Sequence, residues 1–189
     1  MNVQDVLRRL ADALNQAGIP YMLTGSLASS AHGMPRASND FDLVIAPTPE
    51  QLRILKTLLP EPQYYFDLDD ALDALEHQRQ FNVIDHTSGW KIDFIIRKSR
   101  PFSLTEFDRR FQMEFDGVSL FMASAEDVML AKLEWAKLGG SQRQIEDAAG
   151  ILRIRFNELD RDYIERWVEA LGVQDQWREA LDTAGLSRA

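Results

Sequence analysis

The 189-residue sequence contains no cysteine, so disulfide bonds and thiolate metal sites are excluded. The three histidines, His32, His77 and His86, share no ligand spacing, which makes a zinc site unexpected as well. Residues 1–14 carry charges throughout, and no later apolar run has the length of a signal peptide or membrane span. We therefore expect a cytoplasmic protein that does not associate with membranes.

Positive charge is also scarce. The chain has 21 lysines and arginines against 30 aspartates and glutamates, a formal net charge of −9 and a pI near 4.8. Such a surface repels a phosphate backbone on average, so bulk nucleic-acid binding is disfavoured, whereas a local basic patch could still hold a nucleotide or a small RNA surface. The length suffices for one substantial core, or for one domain with a small appendage.

The spacing of apolar residues predicts alternating helices and strands up to about residue 122, and helices alone after it. Strands are predicted over 21–24, 40–45, 81–85, 90–96 and 111–122, the last broken at Asp116-Gly117. Helices are predicted over 3–14, 27–31, 49–59 and 68–75, and then from the capping residue Ser124 onward with a stop at Gly139-Gly140. We expect an α/β (α+β) fold, with a mixed α/β core in residues 1–122 and a helical bundle in residues 123–189.

Three acidic residues occupy strand positions at which their side chains can meet. Asp40 and Asp42 are two apart in one strand, so both point to the same face. Asp93 alternates with the apolar Ile92 and Phe94 in a later strand and therefore faces away from the core. If the two strands are neighbours, the carboxylates lie about 5 Å apart and repel each other by roughly 3 kcal/mol at an effective dielectric near 20.

Hard divalent cations with oxygen ligands remove this repulsion, and Mg²⁺ (or Mn²⁺) is the usual choice for phosphate chemistry. Two such ions stabilise the entering and the leaving oxygen of a phosphoryl displacement. We therefore predict Asp40, Asp42 and Asp93 as metal ligands and catalytic residues, with Asp93 also able to accept the proton of the attacking hydroxyl.

Gly25 and Ser26 follow the strand that precedes these acids. Glycine lets the backbone approach a phosphate closely, and free amides at a helix start favour an anion. The Ser26 hydroxyl can add a hydrogen bond to the β- or γ-phosphate. Arg36, in the loop before Asp40, is a further candidate for contact with a triphosphate, and a solvated loop arginine is an equally good interpretation. Each feature alone is common in turns; their order along the chain carries the hypothesis.

The segments 23–28 (Leu-Thr-Gly-Ser-Leu-Ala), 39–43 (Asn-Asp-Phe-Asp-Leu) and 91–95 (Lys-Ile-Asp-Phe-Ile) together resemble the nucleotidyltransferase superfamily that includes DNA polymerase beta. Within it, the chain looks closest to small bacterial proteins related to AbiEii-type abortive-infection toxins and to aminoglycoside nucleotidyltransferases. The resemblance implies a nucleotidyltransferase-type mixed sheet flanked by helices, an NTP substrate and Mg²⁺.

The resemblance extends into the helical tail. The segment 124–132 is similar to one whose lysine, here Lys132, lies near the nucleotide phosphates in the toxin-like members. Arg143 and Asp147 are similar to a later Arg…Asp pair in those proteins. Trp135, on the same predicted helix as Lys132, could line a pocket for an acceptor or base, but its spacing favours core packing.

These features predict an enzyme that transfers a nucleoside monophosphate from an NTP to an acceptor and releases pyrophosphate. The acceptor stays open: an RNA end such as that of tRNA, a small molecule such as an antibiotic hydroxyl, or a protein side chain. The alternative is a catalytically silent nucleotide-binding regulator, or a member of a toxin–antitoxin pair with a partner protein, built on the same fold.

Overall fold

The computed structural model describes residues 3–38 and 40–186; Asn39 of the predicted loop and motif lies outside these ranges. The described residues form two compact units. One unit holds those up to residue 24 together with those between 38 and 122, and the other holds residues 25–37 together with those from 123 onward. The assignment of residues 1–122 and 123–189 as two domains stays a prediction.

The first unit is built on a mixed sheet, as predicted. In the described ranges its strands are β1 (Tyr21–Thr24), β2 (Asp40–Ile45), β3 (Tyr64–Phe66), β4 (Gln80–Asp85), β5 (Lys91–Ile96), β6 (Phe111–Phe115) and β7 (Val118–Met122). Their spatial order is β3-β4-β5-β2-β1-β7-β6. The pairs β2–β5 and β1–β7 are parallel, whereas the hairpins β4–β5 and β6–β7, and the pairs β1–β2 and β3–β4, are antiparallel.

The helices of the first unit are α1 (Val3–Gln16), α3 (Pro49–Leu58), α4 (Leu68–His77) and α5 (Pro101–Asp108). Helix α1 packs against β7 and α3, and α4 packs against β4 and α3. Helix α3 begins at the predicted capping box, in which the Thr48 hydroxyl accepts from the Gln51 amide and the Gln51 side chain accepts from the Thr48 amide. Alternation within the strands places Phe41 and Phe94 in the core, where both are fully buried.

The second unit is helical in its described residues and consists of α2 (Gly25–His32), α6 (Ala125–Gly139), α7 (Gln142–Arg155), α8 (Arg161–Leu171) and α9 (Gln174–Ala184). Ser124 caps α6 through the Asp127 amide, and Gly140 ends the helix in the left-handed conformation, as predicted. Ser141 occupies the N-cap position of α7, but its side chain makes no cap hydrogen bond.

Three features differ from expectation. Strand β3 was not predicted, because three residues are too short for a period and the strand is stabilised by pairing with the distant β4. Helix α5 was not predicted either, because its N-cap, Arg100, offers no side-chain cap hydrogen bond. The expected core packing of Trp135 was wrong: it is 53% exposed, at the end of α6 where Leu138 is exposed as well.

No helix in the described ranges combines the length and the apolar character that crossing a bilayer requires.

Helices α2 and α7 come close together beside Gly33. A Cβ atom on Gly33 would lie 2.6 Å from the backbone nitrogen of Ile151 and 2.8 Å from the carbonyl oxygen of Gly150. Backbone atoms cannot rotate away as the tip of a side chain can. The absence of a side chain at residue 33 is therefore a packing requirement of the second unit.

We predict that Gly33→Ala lowers the free energy of unfolding by about 1–3 kcal/mol, the usual cost of overpacking. Urea denaturation followed by circular dichroism measures it. Gly139→Ala is the matched control, because a Cβ there meets nothing within 4 Å and lies in α6; its stability should be unchanged or raised by up to about 1 kcal/mol. Equal stability of the two variants would contradict the prediction.

Candidate functional site

A polar row crosses four adjacent strands of the first unit's sheet. Thr24 of β1 pairs with Asp42 of β2, Asp42 pairs with Asp93 of β5, and Asp93 pairs with Asn82 of β4. Paired residues in a sheet point to the same face, with Cβ atoms about 4.5–5.5 Å apart in antiparallel pairs and similar spacing in parallel ones. The predicted neighbourhood of Asp42 and Asp93 is therefore present in the register of β2 and β5.

The next row on this face holds Asp40, which pairs with Lys91. Asp40 is exposed, whereas Asp42 and Asp93 are half-buried. The Lys91 ammonium lies 2.8 Å from Oδ1 of Asp93 and donates a hydrogen bond to its Oδ2 at 2.9 Å. Oδ1 of Asp93 is buried and accepts no hydrogen bond with good geometry. Sequence reasoning missed Lys91, although its spacing of two from Asp93 in a strand already placed both on one face.

The charges around Lys91 act on its protonation. The hydrogen bond to Asp93 raises the pKa of Lys91 above its ordinary value, against a smaller opposing effect of burial, and the negative charges of Asp93, Asp40 and Asp42 add to the increase. The ammonium is therefore firmly charged at neutral pH. The positive charge of Lys91 partly offsets the repulsion expected among the three carboxylates.

These carboxylates fit a hard divalent cation by their chemistry. They supply oxygen donors, the ligands that Mg²⁺ takes in proteins. Oδ1 of Asp93 makes no hydrogen bond with good geometry, although the Lys91 ammonium lies 2.8 Å from it, so it is a ligand atom for an ion that replaces the ammonium. Their side chains are not arranged as a finished cage: within residues 3–38 and 40–186, no three or more His, Cys, Asp or Glu side chains are grouped so as to hold a metal ion.

The other predicted site residues lie in the second unit. Arg36 donates to Asp147 twice, from Nε to Oδ1 at 2.7 Å and from Nη2 to Oδ2 at 3.0 Å, and Nη2 also donates to the Ser26 hydroxyl. Lys132, with a 6% exposed side chain, places its Nζ 2.8 Å from Oδ2 of Asp147. We call Ser26, Arg36, Lys132 and Asp147 the cation cluster. Its two cations exceed its one carboxylate, so it carries a net charge of about +1.

Gly25 opens α2 with a φ of +65°, in the left-handed region that favours glycine. This requirement explains why the strand Tyr21–Thr24 is followed by glycine, and it puts the half-buried Ser26 at the first turn of the helix.

Asp147 owes its ionised state to the two cations. Burial acts to raise its pKa, but hydrogen bonds from Arg36 and Lys132 and their positive charges together lower the pKa below the ordinary value. Arg143, the other member of the pair noted in the tail, is exposed, and the arginine that binds Asp147 is Arg36, 111 positions away. No local pattern could show so distant a pairing.

His32 has a structural role in the same unit. Its Nε2 lies 2.8 Å from the carbonyl oxygen of Ala123, and Arg155 donates to the His32 carbonyl at 2.9 Å. Burial lowers the pKa of His32, against the effect of the hydrogen bond to Ala123. The ring is therefore held as part of the packing between α2 and the residues that precede α6.

No protein-family profile matches the sequence, and no curated protein matches it either. Solved structures do match. The crystal structure of ANT(2″)-Ia in complex with adenylyl-2″-tobramycin superposes with a TM-score of 0.59 at 14% identity, covering 92% of this chain and 98% of that chain. The solution structure of the antibiotic-resistance factor ANT(2″)-Ia gives a TM-score of 0.56 at 14% identity, covering 95% of this chain and 97% of that chain.

An antigenic nucleotidyltransferase-like protein from Paracoccidioides brasiliensis matches with a TM-score of 0.54 at 15% identity, covering 95% of this chain and 92% of that chain. The chain has the nucleotidyltransferase fold. At this sequence identity the likeness shows the fold alone, and any activity has to be argued from the residues of the site.

We predict that Asp147→Asn lowers the free energy of unfolding by about 3 kcal/mol at pH 7, because it leaves the buried Lys132 and the partly buried Arg36 without their counter-ion. The pKa of Asp147 is lowered in the folded state, so its contribution is complete above the ordinary pKa of 3.8 and is lost as pH falls through the folded value. The gap between wild type and variant should therefore close only in strong acid.

Urea titrations between pH 7 and pH 3 measure this gap. Asp175→Asn serves as the control, because that carboxylate is 82% exposed and pairs only one turn away with Arg178; it should change stability by less than about 1 kcal/mol. A similar, small loss for both variants at pH 7 would contradict the buried-ion argument.

Proposed function

We propose that this chain is a nucleotidyltransferase that transfers a nucleoside monophosphate from an NTP to an acceptor hydroxyl and releases pyrophosphate. The observation that supports it best is the register of Asp42 beside Asp93, with Asp40 on the same face, in a chain with the nucleotidyltransferase fold. A fold alone does not specify chemistry, but a row of carboxylates on one sheet face is a donor set for phosphoryl transfer.

In this proposal Asp40, Asp42 and Asp93 would hold divalent cations, Mg²⁺ or Mn²⁺. Bound there, such ions would neutralise phosphate charge and stabilise the entering and leaving oxygens of the displacement. Asp93 is the candidate for accepting the proton of the acceptor hydroxyl, because it is a half-buried carboxylate on the same sheet face as the other two. The half-burial of Asp42 and Asp93 reduces solvent screening and so strengthens their interaction with charged substrate groups.

The cation cluster of the second unit is proposed to bind phosphate oxygens of the NTP. Its excess positive charge attracts an anion, and the Ser26 hydroxyl and Arg36 guanidinium are donors suited to phosphate. Gly25 lets the backbone of the first helical turn approach an anion. Asp147 would orient Lys132 and Arg36 while keeping both charged.

For the acceptor, a small molecule that carries hydroxyl groups is the first choice. ANT(2″)-Ia was solved with adenylyl-2″-tobramycin, and its structure spans nearly the same length as this chain. A net charge of −9 also suits a cationic small molecule better than a nucleic acid. An RNA end such as that of tRNA and a protein side chain are the other acceptors that the test below covers. Membership of the AbiEii-like branch and a toxin–antitoxin partner protein stay predictions.

A specific observation favours a second candidate, a nucleotide-binding protein without turnover. Asp93 is already paired with Lys91, and the carboxylates of the described residues form no finished metal cage. Such a protein would bind NTP through the cation cluster without transferring the nucleotide.

The deciding experiment incubates the protein with each α-³²P-labelled NTP, Mg²⁺ and, in separate reactions, aminoglycosides, tRNA and extract proteins. We predict label transfer in wild type and a loss of at least about a hundredfold in Asp42→Asn, the scale of removing one preorganised electrostatic group. In metal-free buffer the same variant should melt at an unchanged or higher temperature, because it relieves repulsion between neighbouring carboxylates.

Asp108→Asn, an isosteric change of an exposed aspartate at the end of α5, is the control and should transfer label normally. Transfer that persists in Asp42→Asn rules out the proposed site. Saturable NTP binding without transfer to any acceptor favours the silent protein instead.

A separate prediction concerns the phosphate-binding role. Ser26→Ala should raise the KM for NTP about tenfold or more with a smaller effect on kcat, because a hydrogen bond to a charged group is worth about 1.5–3 kcal/mol. Steady-state kinetics measure it. Ser141→Ala, at an N-cap position where the hydroxyl makes no cap hydrogen bond, is the control. Unchanged KM in Ser26→Ala would remove Ser26 from the NTP site.

A further inference from the structure

Lys91 stands where a cation would be expected. Its ammonium lies within 2.8–2.9 Å of both oxygens of Asp93, and its backbone pairs with Asp40 across the strands. The negative charges of Asp40 and Asp42 act on the same ammonium.

The two side chains of this ion pair differ in their exposure to solvent. The Asp93 side chain is 13% exposed and fixed within the sheet face, whereas the Lys91 side chain is 43% exposed. A long, half-exposed lysine can move into solvent at little cost, because its charge remains hydrated. Of the two side chains, Lys91 is therefore the one able to move away from the pair.

A metal ion that binds Asp93 competes with this ammonium for the same oxygens. Without a metal, Lys91 compensates the repulsion between Asp93 and its neighbour Asp42, which share a register position. With a metal bound, the lysine would be a second positive charge beside the ion, and the pair would be broken.

We propose that Lys91 is the built-in counter-ion of the carboxylate site: it pairs with Asp93 while the site holds no metal, and it releases Asp93 when a divalent cation binds. This inference rests on the proposed function for the existence of the metal site. It assigns Lys91 a positioning role, because it acts on the orientation and availability of Asp93. Metal uptake is then an exchange of one cation for another, which lowers the apparent affinity.

The test measures binding of Mn²⁺ alone, in the absence of NTP, by the electron paramagnetic resonance signal of the free ion at fixed pH. Lys91→Met keeps most of the side-chain length and removes the charge. We expect it to bind Mn²⁺ about three- to tenfold more tightly than wild type, because the ion neither displaces an ion pair nor meets a positive charge. Lys98→Met, which removes an exposed lysine a few residues along the chain, controls for net charge and should bind as wild type does.

A second readout uses stability. In EDTA, Lys91→Met should melt below Lys98→Met, since it removes the positive charge that offsets the repulsion between Asp42 and Asp93. Added Mn²⁺ should raise its melting temperature more than it raises that of wild type. Lys91→Gln provides a second, polar replacement should the methionine variant fold poorly, and it should shift Mn²⁺ affinity in the same direction.

Mn²⁺ affinity that is unchanged or weaker in both Lys91 variants, relative to Lys98→Met, overturns the inference. Asp42→Asn separates this failure from that of the proposed function. If wild type binds Mn²⁺ and Asp42→Asn does not, the metal site stands and only the role of Lys91 is refuted. If neither binds Mn²⁺, both the metal site and the inference fall.

Discussion

The parallel pairing of β2 with β5 is the constraint on which the proposed chemistry depends. It sets Asp42 beside Asp93 and Asp40 beside Lys91 through the backbone hydrogen bonds of a parallel pair. A shift of one residue in this register would send the aspartates of one strand to the opposite face, into the layer that holds Phe41 and Phe94. The apolar core therefore fixes the position of the charges on the other side of the sheet.

In the second unit, a buried carboxylate is paired with two cations. There a carboxylate with a 6% exposed side chain, Asp147, is held by two cations from distant parts of the chain. Arg36 contributes a planar fork that binds both oxygens, and Lys132 a point charge from a buried helix face. The cations outnumber the carboxylate, and this excess of positive charge is what the proposed binding of phosphate depends on.

Much of the secondary structure could be predicted from local sequence patterns. The alternation of Asp40, Phe41 and Asp42 predicted both the strand and its two faces, and the capping residues Thr48 and Ser124 predicted the starts of two helices. These signals are local because backbone periodicity and cap hydrogen bonds involve residues a few positions apart. The mixed sheet was expected only from the resemblance to nucleotidyltransferases, because local signals do not show which strands pair.

Pairings over long distances could not be predicted in the same way. The contact of Arg36 with Asp147, the short strand β3 and the order of the strands depend on which segments meet after the chain folds. For Trp135 a local pattern led to a wrong prediction. Its helical spacing is typical of a core residue, but its position near the end of α6 leaves it exposed. Whether Asp40, Asp42 and Asp93 bind metal stays a prediction.

The segment 25–37 leaves the sheet-containing unit at Thr24 and rejoins it at Ser38, while its buried residues, including Ala28 and His32, pack with residues from 123 onward. A chain cut after Met122 would therefore not be a separable half of the protein. It would carry a helix whose apolar side has lost its cover. The two units are interleaved along the sequence, so no single cut of the chain separates one from the other.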